Sequence, residues 1–73
     1  GSPDGNGAAL VRFVASSAEG NRNGALFWAV KKAVADGVIN QIRGDLEGAA
    51  TAAGLPEREV TATINSGIGA ATQ

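Results

Sequence analysis

The segment from Gly20 to Val34 constrains the fold of this chain more than any other, because a polar, glycine-flanked turn leads directly into a strongly apolar helical pattern. Along this pattern apolar or small residues recur at i, i+1, i+4, i+7, i+8 and i+11, which places them on one helix face: Leu26, Phe27, Val30, Ala33, Val34 and Gly37. The spacing predicts a helix from about Asn23 to Asp36 that stops at Gly37. We expect the hydrophobic core to form around this stripe.

Other segments show the same helical spacing, and none sustains the alternation of apolar and polar residues that a half-buried β-strand requires. The first predicted helix runs from Gly7 to Ala18, and Gly20 after it suits a left-handed helix cap. A third helix begins at Asn40 or in the turn before it and extends to Gly54. The sequence therefore predicts an all-α protein, a compact bundle of three to four short helices.

The last predicted helix opens at Leu55-Pro56-Glu57, since proline suits the first helical position and an early glutamate complements the helix dipole. Gly67 and Gly69 weaken its final turn, so we expect it to fray near residues 69–70.

Gly44 and Gly48 lie four residues apart on one side of the third predicted helix. Two interpretations are open: they allow a neighbouring helix to approach closely, or they make this a poor helix.

A chain of 73 residues forms one small domain. Gly1-Ser2 resembles the remnant of a cleaved expression tag, and residues 1–6 are expected to be a flexible lead-in. Residues 7–70 are the predicted helical bundle, and residues 71–73 its frayed C-terminus.

Composition limits the chemistry available to the chain. It contains no Cys and no His, which argues against thiolate or imidazole metal sites and against a histidine general base. We therefore expect no catalytic residue, no metal site and no cofactor. Six basic and seven acidic residues give a net charge of −1, which argues against strong autonomous binding to duplex DNA. No apolar run approaches the roughly 18 residues of a membrane span, so we expect a cytoplasmic protein without a membrane partner.

The turn Gly20-Asn21-Arg22-Asn23-Gly24 has the composition of an anion site. Its glycines allow close backbone approach, the following helix directs N–H groups outward, and Arg22 adds a charged donor. Asn21 and Asn23 can cap the helix with their side-chain oxygens. The alternative is an ordinary helix cap with a solvated arginine.

Trp28 is the only tryptophan, and Lys31 and Lys32 follow it by three and four residues. An aromatic ring beside two cations can stack on a base and contact phosphates. The alternative is that Trp28 packs beneath the first or fourth helix while the lysine stems extend past it.

A helix-turn-helix arrangement is a further possibility, because Ala50, Gly54 and Val60 have a spacing compatible with two helices crossing at a tight turn. The second helix of such a motif would carry Arg58 between two glutamates. This balance of charge disfavours entry into the major groove.

An ordered series of short motifs resembles the C-terminal helical segment of bifunctional primase–polymerases and related replication proteins of actinobacteria, their phages and mobile elements. The series covers residues 8–68 and comprises Leu10-Val11-Arg12, Glu19-Gly20-Asn21-Arg22-Asn23, Leu26-Phe27-Trp28-Ala29, Ala52-Ala53-Gly54-Leu55-Pro56-Glu57-Arg58-Glu59 and Thr63-Ile64-Asn65-Ser66-Gly67. The resemblance implies a non-catalytic accessory module, with the catalytic carboxylates and metal site in another domain of the parent enzyme.

The resemblance and the residue chemistry together predict weak contact with single-stranded DNA template or nucleotide phosphates, and contact with other domains of a replication protein. The residues expected to bind nucleic acid are Arg12, Arg22, Asn23, Trp28, Lys31, Lys32 and Arg58. A protein–protein docking or self-association module is the alternative, since the apolar stripes are generous for a chain of this length.

Overall fold

The computed structural model describes residues 5–17 and 20–72. These residues form four helices: α1 (Gly5–Ala15), α2 (Arg22–Ala35), α3 (Ile39–Ala52) and α4 (Glu57–Ala71). The described part of the chain contains no β-strand. The predicted all-α bundle is confirmed.

Helix α2 lies at the centre of the bundle and packs against each of the other three helices. Helix α4 packs chiefly on α2, whereas α1 packs on both α3 and α2. The largest side chains without solvent exposure come from all four helices: Val14, Leu26, Val30, Leu46 and Ile64. Burial of an aliphatic side chain of this kind stabilises a fold by about 1.5–3 kcal/mol. The core is therefore a single cluster around α2.

The buried face of α2 differs slightly from the predicted stripe. Leu26, Val30 and Ala33 are buried as expected, but Phe27 and Val34 are only partly buried. Their places in the core are taken by alanines at positions 25 and 29. Small residues are buried here because α2 is covered by helices on more than one side, so its buried surface is wider than one stripe.

Two of the predicted helix ends are confirmed by their hydrogen bonds. Gly37 has φ +76° and Gly54 has φ +107°, both in the left-handed region that glycine adopts without strain. The N–H of Val38 donates to the carbonyl of Ala33 at 2.9 Å, and the N–H of Gly37 donates to Val34 at 3.1 Å. The same pair of bonds closes α3 at Gly54. Both ends are Schellman motifs.

The bounds of α1 differ from the prediction at both ends. The helix begins at Gly5, so residues 5 and 6 belong to it and not to the lead-in. It ends at Ala15, and the predicted last residue, Ala18, lies outside the described residues. The hydroxyl of Ser17 donates to the carbonyl of Val14 at 2.6 Å. Serine side chains that compete for the last carbonyls in this way favour ending a helix.

The other bounds also shift. Helix α3 begins at Ile39, in the turn before Asn40, and α4 continues to Ala71, past the expected fraying at residues 69–70. Gly20 has φ +97° as predicted, but it precedes α2 and does not directly cap α1.

Close helix approach depends on glycines other than the expected pair. A Cβ at Gly44 or Gly48 would meet no heavy atom within 4 Å, so these two residues line no helix contact. At Gly67 of α4 a Cβ would lie 2.7 Å from Cγ1 of Val30 and 3.3 Å from the carbonyl oxygen of Phe27. Gly67 is buried, and its missing side chain is what lets α4 lie against α2.

We predict that Gly67→Ala lowers stability relative to Gly48→Ala. The control should stabilise the protein by about 1 kcal/mol, because alanine has the higher helix propensity and meets no neighbour at position 48. Gly67→Ala gains the same propensity but overpacks the α2–α4 contact, which costs about 1–3 kcal/mol. Urea denaturation followed by circular dichroism compares the two variants. Equal stability gains would show that α2 and α4 are not in close contact at this position.

Candidate nucleic-acid interface

Arg22 binds within the fold. Its Nη1 donates a hydrogen bond of 2.7 Å to the carbonyl oxygen of Ala53, at the C-terminal end of α3. A Cβ at Gly54 would collide with the same guanidinium group. A cation at this position also complements the negative end of the α3 dipole. Arg22 therefore joins the start of α2 to the end of α3, a role that the anion-site hypothesis did not anticipate.

The predicted side-chain caps of α2 are wrong. Asn21 is the N-cap residue, but its side chain makes no capping hydrogen bond. Its backbone has φ −109° and ψ −2°, which is helical, whereas capping side chains need the extended conformation. Asn23 lies inside the helix, and its Nδ2 donates to Oγ1 of Thr63 at 2.7 Å. Asn23 therefore joins α2 to α4, and Thr63 is the buried polar partner in the core.

Trp28 and Phe13 form an exposed aromatic pair between α2 and α1. Their ring centroids are 5.1 Å apart and the rings meet edge to face, at 62°. Trp28 is 47% exposed and Phe13 is 48% exposed. Trp28 does contact the first helix, as one of the alternatives supposed, but it is not covered by it. Two large aromatic side chains that are in contact and half exposed make this surface a candidate for binding.

The aromatic pair forms one side of an open groove. The groove has a volume of about 350 Å³, and its lining residues are Phe13, Gly20, Asn21, Gly24, Ala25 and Trp28. It lies at the amino end of α2, where backbone N–H groups favour an anion. A Cβ at Gly24 would meet no atom within 4 Å, so the groove is open at this residue.

Both lysines of the predicted site are exposed on α2. Lys32 follows Trp28 by one helical turn, so the two side chains share one side of the helix. Nζ of Lys31 lies 5.6 Å from the ring centroid of Phe27, within range of a cation–π interaction.

The two remaining predicted arginines lie on different helices. Arg12 is exposed on α1 and directly precedes Phe13 in the chain. Arg58 is exposed in the first turn of α4, between Glu57 and Glu59. The structure thus places Arg12 on α1, Trp28, Lys31 and Lys32 on α2, and Arg58 on α4.

Charge is unevenly distributed between the helices. Helices α1 and α2 contain four basic residues and no acidic residue, a charge of +4. Helices α3 and α4 contain two basic and four acidic residues, a charge of −2. The remaining acidic residues, Asp4, Glu19 and Asp36, flank α1 and α2 in the chain and reduce the net charge of residues 1–38 to +1. The aromatic pair and its groove belong to the two positive helices.

Phe13 is the site residue that the sequence analysis missed. The signal available in the sequence was the one that also applies to Trp28, which is not among the stripe residues of its helix: a large aromatic residue outside the most buried helical positions.

Within the described residues, no group of three acidic side chains is arranged to hold a metal ion. None of the helices in that part of the chain is long and apolar enough to cross a membrane. Comparisons with protein-family models, with curated proteins and with solved structures gave no match.

We predict that Arg22→Ala destabilises the fold by about 1–2 kcal/mol, because the Ala53 carbonyl loses a charged hydrogen-bond donor. Arg12→Ala is the matched control, since it removes an exposed arginine from the same half of the bundle and should change stability by less than about 0.5 kcal/mol. Thermal unfolding measures both. Equal stability of the two variants would contradict the role of Arg22 in joining α2 to α3.

Proposed function

We propose that this chain is a non-catalytic helical accessory module of a primase–polymerase-like replication protein and binds single-stranded DNA weakly. One observation carries the proposal: the exposed Phe13–Trp28 pair lies on the two helices that also carry the exposed cations Arg12, Lys31 and Lys32. The ordered motifs that resemble the C-terminal segment of primase–polymerases support the same conclusion from the sequence. Other domains of the parent protein would supply catalysis.

Base stacking is one interaction that the exposed aromatic pair offers to a single strand. Proteins that bind single strands place unpaired bases on exposed aromatic rings, and each stacked base contributes about 1–3 kcal/mol. In an edge-to-face pair one ring presents its edge, so its faces remain free of its partner. Trp28 and Phe13 therefore offer a free ring surface to a base. Duplex DNA cannot use this surface, because its bases are already stacked and paired.

Electrostatic attraction to phosphates is the second interaction. Lys31, Lys32 and Arg12 are exposed on the helices that carry the aromatic pair, where they can contact phosphates next to a stacked base. Arg22 and Asn23 support the site by fixing the start of α2 to α3 and α4. With so few cations the binding is weak and sensitive to salt. The affinity needed in the parent protein then comes from several domains acting on one strand.

The helix-turn-helix alternative has less support. Helix α4 would have to enter a major groove, but Glu57 and Glu59 are exposed on either side of Arg58 in its first turn. Carboxylates at this end of a recognition helix would face DNA phosphates.

Protein–protein docking is the second candidate, because exposed Trp and Phe side chains are also typical of binding hot spots on protein surfaces. The two functions are separable. A docking module would show Phe13- and Trp28-dependent association in sedimentation experiments and would not respond to oligonucleotides.

We predict that a fluorescently labelled (dT)12 oligonucleotide binds the protein at low salt and quenches Trp28 fluorescence. Trp28→Ala should weaken binding by about 1–3 kcal/mol, measured by anisotropy of the labelled DNA, since one stacked base is lost. Trp28→Phe is the control and should retain most of the affinity, because it keeps an aromatic face. Absence of binding by the unmodified protein at about 50 mM salt would overturn the proposed function.

We also predict that the phosphate contacts come from the α1–α2 half of the bundle. Lys32→Gln should reduce the slope of log affinity against log salt by about 0.7, the value of one phosphate contact with a single strand. Arg43→Gln removes the same charge from α3 and should leave the slope unchanged. If both substitutions have equal effects, the binding reflects net charge and not a local site.

A further inference from the structure

We propose that the groove beside Trp28 receives a single unpaired nucleobase, and that Gly24 keeps it open. The inference rests on the proposed function and specifies which part of the single strand the groove binds, namely one base. Three features support it: the volume of the groove, the glycines in its lining, and the Phe13–Trp28 pair that forms one of its sides.

The groove is small and open to solvent. Ligand clefts in proteins range over about 300–1,000 Å³, and this groove, at about 350 Å³, is at the lower limit. A depression of this size, open to solvent, has room for one base against the Trp28 ring. The described aromatic surface is equally small, since the exposed large apolar residues are Phe13 and Trp28.

The lining of the groove suits a flat ring with an attached phosphate. Trp28 and Phe13 supply the ring surface, while Gly20 and Gly24 contribute no side chain that would obstruct it. The groove ends at the amino terminus of α2, whose N-cap side chain makes no capping bond. Lys32 lies one turn further along α2 from Trp28. No charged residue is among the described residues that line the groove itself, but Arg12 and Lys32 are exposed next to its two aromatic residues, in the chain and one helical turn on, respectively. These two cations favour a base bearing phosphates over an uncharged peptide side chain.

Gly24 controls access because its side-chain position points into open space. A Cβ there would meet no heavy atom within 4 Å, although the residue lines the groove. Gly24 precedes Trp28 by one helical turn, so a larger residue at position 24 would lie beside the Trp28 ring on the groove side of α2. It would not disturb the core, and it would raise the helix propensity of α2. Gly20 does not offer this test, because its φ of +97° disfavours any side chain.

The test compares Gly24→Leu with Gly48→Leu. Gly48 is the matched control, since it is an exposed helical glycine of α3 with equally open surroundings. Binding of labelled (dT)12 is measured by anisotropy at low salt, and folding by thermal unfolding. We expect Gly24→Leu to weaken binding about tenfold or more, the loss of one stacked base, while Gly48→Leu binds like the unmodified protein. Gly24→Ala, a smaller change in the same place, should weaken binding less.

The outcomes separate the inference from the proposed function. If the unmodified protein binds (dT)12 and Gly24→Leu binds equally well, the groove is not the base site, whereas the proposed function stands. If both leucine variants lose binding equally, the groove assignment is again overturned. If the unmodified protein does not bind, both proposals fail. If Gly24→Leu does not fold, the affinities of Gly24→Ala and Gly48→Ala for (dT)12 are compared instead. Weaker binding by Gly24→Ala supports the groove as the base site, and equal binding overturns it.

Discussion

The burial of α2 among the other three helices is the interaction on which the rest of this structure depends. A chain of this length buries only about 60% of the surface that its unfolded form exposes, so it cannot maintain several separate cores. Here α2 packs against all three other helices. Four of its residues have no exposed surface: Leu26, Ala29, Val30 and Ala33. Gly67 allows α4 to pack closely against α2, because it has no side chain at the contact.

The same helix also organises the candidate site. Its buried face holds the core, its first turn is joined to α3 by Arg22 and to α4 by Asn23, and its remaining surface carries Trp28 and the two lysines. The aromatic pair is therefore supported by a helix that is fixed along its length. Rigid support of this kind lets an exposed ring bind a ligand without a large loss of conformational entropy.

Local pattern predicted the helices well and the polar contacts poorly. Hydrophobic spacing and the glycines at 37 and 54 are local signals, and they predicted three to four helices, of which four are observed, and two of the helix ends. Arg22 and Asn23 were assigned to anion binding and capping because both roles are also local. Their observed partners are 31 and 40 residues away along the chain, so no local pattern could identify them.

The sequence by itself determined the all-α class, the central position of the α2 stripe and the absence of histidine and cysteine chemistry. These follow from residue spacing and composition, which do not depend on how the helices are arranged. Only the tertiary structure decided which glycines lie at helix contacts, that Trp28 meets Phe13 in an exposed pair, and that the basic helices α1 and α2 lie side by side. The physical reason is that such contacts depend on the rotation and packing of whole helices, and these are set by the fit of the entire core.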